Sequence, residues 1–258
     1  MNIIKHITKY PIKGLSGESL ENVFLQTNQV LPGDREFAFA RSNVNYDPEN
    51  PVYLKKTNFL ALVKEEKLAK LKTEFNSSSQ QLKIKIDNQI VLNEKLINQE
   101  NISNVEYFFQ KYLNLSHEEK PMLVRGMENK TSRLKHSFSD LPDKVISIIN
   151  LKSIQDFESK LDRQISPIRF RANFLIDGDE PWEEFDWIGK KIALGSSILK
   201  VFKRTQRCGA TNVNPENAER DINIPNEIKN NYGHFDLGVY AQVIKGGLVS
   251  INDRLEII

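Results

Sequence analysis

Residues 238–251 read Gly-Val-Tyr-Ala-Gln-Val-Ile-Lys-Gly-Gly-Leu-Val-Ser-Ile. Two short apolar runs flank the Gly246–Gly247 pair, and short apolar runs bounded by glycine are typical of β-strands joined by tight turns. The same pattern predicts further strands on both sides of this stretch, at Phe174–Asp177, Lys191–Leu194, Ile198–Phe202 and Leu255–Ile258. Many short strands separated by glycine turns favour a closed or nearly closed antiparallel barrel in the second half of the chain.

The first third of the chain also predicts strands. Val23–Leu25 and Phe37–Phe39 each place two apolar residues on one face of a strand, and Pro32–Asp34 supplies turn residues between them. Polar and apolar residues alternate at Ala69–Phe75 and again at Leu82–Ile86, which predicts a hairpin. This part is therefore expected to form a meander or a small barrel.

Two helices are expected between these groups of strands. Ser103 and Glu106 match a capping box at the start of an amphipathic pattern that continues to Leu113. A shorter helix is expected to begin at Ser153, whereas residues 118–143 are polar, have no period and predict no element. The fold class is therefore expected to be α+β and mostly β, with a few short helices.

Composition excludes several classes of protein. The 258 residues carry 36 basic and 34 acidic side chains, a net charge of +2, so no global field favours nucleic acid or an anionic membrane. The chain has no apolar run of the roughly 20 residues that span a bilayer, and its start lacks the apolar segment of a signal peptide. We expect a cytoplasmic protein with no membrane span and no nucleic-acid partner.

The single cysteine, Cys208, stands in a dense polar cluster, Lys203–Thr211. One cysteine excludes a disulfide within the chain, as well as zinc or iron–sulfur sites built mainly on thiolates. Lys203, Arg204 and Arg207 are close to it in sequence, and nearby positive charge favours the thiolate, which ligates metals or attacks electrophiles. The alternative is a solvated basic turn with an incidental cysteine.

A second candidate cluster is Ile168–Asn173, which is predicted to be a strand. Alternate residues of a strand share a face, so Arg169 and Arg171 are expected on the same side, where their guanidinium groups could bind phosphate or carboxylate oxygens. The alternative is that they face solvent or pair with Glu183 and Glu184. No HExxH, P-loop, GxGxxG or GxSxG pattern occurs.

Two groups of motifs resemble the MOSC family. Tyr10–Gly14 (Tyr-Pro-Ile-Lys-Gly) and Leu31–Arg35 (Leu-Pro-Gly-Asp-Arg) are similar to the N-terminal β-barrel module that precedes MOSC domains. A second group of residues resembles the core of MOSC domains and follows the order expected there: Phe170–Asn173, Pro181–Trp182, Gly195, Arg207–Cys208, Thr211, Pro215, Gly238–Tyr240, Gly246–Gly247 and Asn252–Asp253. The resemblance covers nearly the whole chain. It implies a β-barrel-like module at residues 1–117 packed on an antiparallel MOSC β-barrel at residues 118–258.

The resemblance also implies a molybdenum cofactor (Mo-molybdopterin) site shared by both modules. Cys208 would be the metal ligand, and the remaining sulfur ligands would come from the dithiolene of the pterin. The cofactor phosphate would be held by Lys13, Arg35 and the backbone N–H of Gly14, a position where close relatives often have serine. The pterin would be held by Asp140, Arg171 and the backbone of Gln206 and Arg207, and Asn173 would be a further cofactor-binding residue.

Two functions are consistent with this site. The first is that of an oxidoreductase resembling the amidoxime-reducing component, which reduces N-hydroxylated small molecules. Its electrons would come from a separate ferredoxin, cytochrome or flavoprotein, because the chain has no flavin, haem or iron–sulfur motif of its own. The second is cofactor binding or sulfur transfer through a Cys208 persulfide, as in cofactor sulfurases. Complete sulfurases carry a large pyridoxal-phosphate domain for which this chain has no room.

Overall fold

The computed structural model describes residues 2–128 and 136–258. The strands are β1 (Ile3–Lys9), β2 (Glu18–Leu20), β3 (Asn22–Leu25), β4 (Phe37–Ala40), β5 (Lys72–Asn76), β6 (Gln81–Ile86), β7 (Gln89–Lys95), β8 (Met122–Arg125), β9 (Ile146–Asn150), β10 (Phe174–Asp177), β11 (Lys191–Leu194), β12 (Ser197–Gln206), β13 (Asp236–Lys245), β14 (Gly247–Ser250) and β15 (Leu255–Ile257). The α-helices are α1 (Gln99–Tyr112), α2 (Leu151–Leu161) and α3 (Ile224–Tyr232). The α+β, mostly β class is confirmed.

An eight-stranded sheet in the order β15-β11-β12-β13-β9-β10-β1-β2 forms the main body. The sheet curls so that its two ends approach each other. Two hydrogen bonds join them: Ile4 N donates to Asp253 O (3.0 Å), and Asn252 N donates to Ile4 O (2.9 Å). Apolar side chains such as Phe174, Trp187 and other fully buried residues fill its interior. The glycine-punctuated strands of the second half therefore bury one continuous core.

One strand pair departs from the antiparallel expectation. β9 and β10 are parallel, with Phe174 opposite Ile148 and Ile176 opposite Asn150. Parallel neighbours need a long crossover connection, and α2 supplies it between these two strands. The helix begins at Leu151 rather than at Ser153, because the Asn150 side chain caps it by accepting from Lys152 N.

Strand pairing crosses the expected boundary between residues 117 and 118. β1 pairs with β10, and β3 pairs with β14. The first strands of the chain are thus part of the same sheet system as the last ones, and a division into two modules stays a prediction.

A second apolar core packs α1 against β5–β7 and includes Phe39, Phe109 and Val213. The predicted hairpin is confirmed as β5 and β6. The α1 helix begins one turn earlier than the Ser103 capping box predicts, since the Asn98 side chain caps it by accepting from Asn101 N. This core holds the loop after β1 in place, and that loop carries the first residues of the candidate site.

Candidate functional site

A single cleft brings together all nine residues that the MOSC resemblance assigns to the cofactor site. The empty space within it is about 990 Å³, including the part open to solvent. The nine are Lys13, Gly14, Arg35, Asp140, Arg171, Asn173, Gln206, Arg207 and Cys208. Residues from both ends of the chain thus line one space, although their individual roles stay predictions.

The inner part of the cleft contains a sandwich of two arginines around one aromatic ring. The guanidinium carbon of Arg35 is 4.5 Å from the centre of the Tyr10 ring, and that of Arg171 is 4.3 Å from it. Arg35 also donates to Asp34 Oδ2 (2.5 Å) and to the Arg171 backbone oxygen (3.0 Å). Attraction to the ring lets two like charges lie in one place.

Arg171 reaches this sandwich in a way that the sequence does not predict. Residues Pro167–Phe170 form a 3-10 turn instead of a strand, and Arg171 ends it in the left-handed region (φ 52°). The turn separates the two arginines, so that Arg169 donates to Asp221 Oδ2 (2.8 Å) at another part of the cleft wall. The predicted strand was therefore wrong, although both arginines line the cleft.

The Arg171 guanidinium is only partly satisfied by protein. Its Nη1 donates to Leu15 O (2.5 Å), whereas its Nη2 is buried without a hydrogen-bond partner. Burial, and then the charge of Arg35, lowers the pKa of Arg171 to about 10, which still leaves it cationic at neutral pH. A buried donor without a partner is costly, so this group is suited to an anionic ligand.

Lys13 and Asp140 form an ion pair beside the sandwich. Lys13 Nζ donates to Asp140 Oδ1 (2.5 Å) and to Phe138 O (2.9 Å). Burial lowers the pKa of Lys13, and Asp140 opposes that change. For Asp140, burial would raise the pKa, but the Lys13 ammonium outweighs it and the pKa is lowered. Each group therefore favours the charged form of its partner.

Cys208 is half-buried at the start of a 3-10 turn, Gly209–Asn212, that follows β12. Its backbone oxygen accepts from Thr211 N (3.0 Å) and Thr211 Oγ1 (2.8 Å), which fixes the turn without using the sulfur. The thiol is therefore available to a ligand in the cleft.

The cations around Cys208 differ from those expected. Of the three nearby in sequence, only Arg207 lines the cleft; Lys203 lies against the Phe202 ring and Arg204 against the Phe185 ring. Lys56, which no sequence pattern singled out, lines the cleft instead. Burial would lower the pKa of Lys56, but interaction with the Cys208 sulfur outweighs burial and the pKa is raised.

Arg207 and Asn173 have structural partners that occupy their polar atoms. The Arg207 side chain donates to Leu237 O (2.8 Å, from Nε) and Phe170 O (3.0 Å, from Nη1), and its backbone N–H donates to Phe235 O (2.8 Å). Asn173 bonds to Ser147 and Thr8 O. These two residues therefore hold the walls of the cleft in place, and the Arg207 N–H, expected as a ligand contact, is already used.

Gly238 makes room for the Arg207 side chain. Its φ is +78°, and a Cβ atom there would lie 2.6 Å from Ile148 O and 3.3 Å from Arg207 Nη2. Only glycine fits such a position without strain. Gly14 also has a positive φ (+83°), a backbone conformation that glycine adopts without strain.

The cleft has an excess of positive charge. Among its described lining residues, six are cationic and two are acidic, namely Lys13, Arg35, Lys56, Arg169, Arg171 and Arg207 against Asp34 and Asp140. Within residues 2–128 and 136–258, no group of three or more His, Cys, Asp or Glu side chains could hold a metal ion. The arrangement suits an anionic ligand that brings most ligands of its own metal, with one soft sulfur ligand from the protein.

Comparisons with known proteins agree with the sequence resemblance. The MOSC domain model matches residues 133–256. Mitochondrial amidoxime-reducing component 1 of Mus musculus is 28% identical over 85 residues, which are 33% of this chain and 24% of that protein. The aligned segment thus spans about a quarter of the relative's length. No helix in the described ranges is long and apolar enough to cross a membrane.

Two solved structures are similar in shape. The YUAD protein from Bacillus subtilis aligns over 100% of this chain and 96% of its own, with 11% identity and a TM-score of 0.43. YiiM from Geobacillus stearothermophilus aligns over 44% of this chain and 53% of its own, with 18% identity and a TM-score of 0.36.

Proposed function

Because residues 133–256 of this chain match the MOSC domain model, we propose that the chain binds the molybdenum cofactor in the cleft and reduces N-hydroxylated small molecules. The observation that carries the proposal is the pairing of a single accessible thiol, Cys208, with a buried and unpartnered donor, Arg171 Nη2, in one cationic cleft. A phosphate-bearing cofactor that accepts one protein sulfur ligand would use both features.

The chemical character of each residue fits a part of this cofactor. Arg35, Arg171 and Lys13 are suited to its phosphate and other anionic oxygens, because charge-assisted hydrogen bonds favour such groups. Cys208 is suited to the metal, since a soft thiolate matches a redox-active transition metal. When bound, the cofactor supplies two-electron chemistry with transfer of an oxygen atom, while the protein binds and orients the reactants.

The reaction requires an external source of electrons. Reduction of an amidoxime to an amidine breaks the N–O bond, consumes two electrons and two protons, and releases water. We assign the electrons to a separate ferredoxin, cytochrome or flavoprotein, as part of the same proposal. The similarity to a protein named for amidoxime reduction supports this substrate class, and a cytoplasmic location belongs to the proposal as well.

Turnover with a chemical electron donor tests the reductase function. The full chain is produced in a host that makes molybdenum cofactor and is then supplied with reduced methyl viologen and benzamidoxime. We expect benzamidine to form in proportion to bound cofactor, with no product from protein made in a cofactor-deficient host.

Loaded protein that reduces neither amidoximes nor hydroxylamines would contradict the reductase function. Release of thiocyanate by cyanide from cofactor-free protein, and its loss in Cys208→Ser, would then identify a persulfide on Cys208, which is the signature of the sulfur-carrier alternative.

A further inference from the structure

We propose that Lys56 makes the space beside Cys208 selective for anionic ligands, so that preferred substrates carry a carboxylate or another oxyanion near the reacting group. This inference rests on the proposed function and adds the charge of the substrate to it. It follows from the position of Lys56 in the cleft, from the pairing of three other cations with carboxylates and from the presence of one thiol.

The backbone that carries Lys56 is fixed against the rest of the cleft. Lys56 begins a short 3-10 turn, and Arg41 Nε donates to the backbone oxygen of Thr57 in that turn (3.1 Å). Just before it, Tyr53 Oη donates to the backbone oxygen of Asp140 (3.0 Å). The backbone at Lys56 is therefore anchored, and its half-buried side chain lines the cleft.

Three of the five other cations of the cleft have carboxylate partners, whereas Arg171 lies against the Tyr10 ring and Arg207 donates to backbone oxygens. The carboxylate pairs are Lys13 with Asp140 (2.5 Å), Arg35 with Asp34 (2.5 Å) and Arg169 with Asp221 (2.8 Å). Within residues 2–128 and 136–258, no ion pair joins Lys56 to a carboxylate. Lys56 and Cys208 both line the cleft, and interaction with the Cys208 sulfur raises the pKa of Lys56.

When Cys208 ligates the metal, the negative charge near Lys56 decreases. The charge of the thiolate is then shared with the metal, while the ammonium of Lys56 stays beside the site where a substrate must approach. An anionic ligand gains Coulomb energy there that a neutral ligand of the same shape does not gain. At a partly exposed site in moderate salt, we expect this to change relative rates or affinities by about fivefold.

Alkylation of Cys208 tests the proposal without any cofactor. Cys208 is the only cysteine in the chain, so the rate of thiol loss reports this position alone. The full-length, cofactor-free protein is treated with iodoacetate, which is anionic, and in parallel with iodoacetamide, which is neutral. A change in thiolate fraction alters both rates, because both reagents attack the thiolate, and it cancels in their ratio.

We expect Lys56→Gln to lower the iodoacetate-to-iodoacetamide ratio by about fivefold and Lys56→Arg to preserve it. Lys55→Gln is the matched control, since Lys55 is an exposed neighbour outside the cleft. The ratio of the parent protein should also fall as sodium chloride is raised. An unchanged ratio in Lys56→Gln, or an equal fall in Lys55→Gln, would overturn the proposal.

The loaded protein provides a second readout. Lys56→Gln should raise the KM for 4-carboxybenzamidoxime about fivefold more than the KM for benzamidoxime. Equal changes for the two substrates would contradict a role in charge selection. If loaded protein reduces neither compound, the proposed reductase function fails, whereas the alkylation ratio still decides the role of Lys56.

Discussion

Replacing Cys208 with serine is expected to abolish turnover of N-hydroxylated substrates while leaving the pterin bound. Serine is a harder and less readily ionised ligand than a thiolate, so it changes the redox potential and reactivity of the metal. Loss of a residue that only supports a metal ligand costs about 10–100-fold, and loss of the ligand itself should reach at least the upper end of that range. Viologen-dependent reduction of benzamidoxime, normalised to bound pterin, measures the effect.

The substitution should not disturb the local turn. Thr211 donates to the backbone oxygen of residue 208, which serine retains, and the cations of the inner cleft are untouched. A Cys208→Ser protein that reduces benzamidoxime at the parent rate would exclude Cys208 as an essential ligand. If the pterin were lost together with activity, the cysteine would be required for retention as well.

Removal of Arg35 or Arg171 is expected to have the second largest effect, this time on cofactor retention. Each charge-assisted hydrogen bond contributes about 1.5–3 kcal/mol, which corresponds to a loss of affinity of roughly ten- to a hundredfold. Arg171→Ala should lie at the upper end, because its Nη2 has no partner in the protein and is the donor best suited to a ligand. Bound pterin after purification is measured by fluorescence of its oxidised product.

Arg163→Ala serves as the control for both variants. Arg163 is exposed, pairs with Asp221 and lies outside the cleft lining, so its removal should leave pterin occupancy unchanged. Arg35 and Arg171 also bond to protein groups, and thermal unfolding of the cofactor-free variants therefore accompanies the assay. Folded Arg35→Ala and Arg171→Ala proteins that both retain parent occupancy would remove these residues from the binding site.

Much of the main sheet could be predicted because local patterns and tertiary packing agree. The bounds of β10 and β11 match the predicted strands to the residue. The β8 strand was missed, since its four residues stand in a polar region without period. It forms because β4 offers a partner, with Phe37 opposite Arg125 and Ala40 opposite Met122, and such long-range pairing leaves little local signal.

The site could be predicted only where motifs carry it. Tyr10–Gly14 and Arg207–Cys208 pointed to segments that do line one cleft. The left-handed conformation of Arg171 was not predicted, because contacts with Tyr10 and Leu15 O, rather than local propensity, stabilise it. Lys56 had no signal at all, since it approaches Cys208 only through the packing of distant loops.

Metal and pterin analysis of the purified chain tests cofactor binding most directly. The protein is expressed in a host that makes molybdenum cofactor, and molybdenum is measured by mass spectrometry beside the oxidised pterin. Cofactor binding in the cleft predicts close to one molybdenum and one pterin per chain, both greatly reduced in Arg171→Ala. A folded parent protein that contains neither molybdenum nor pterin when produced in that host would contradict it.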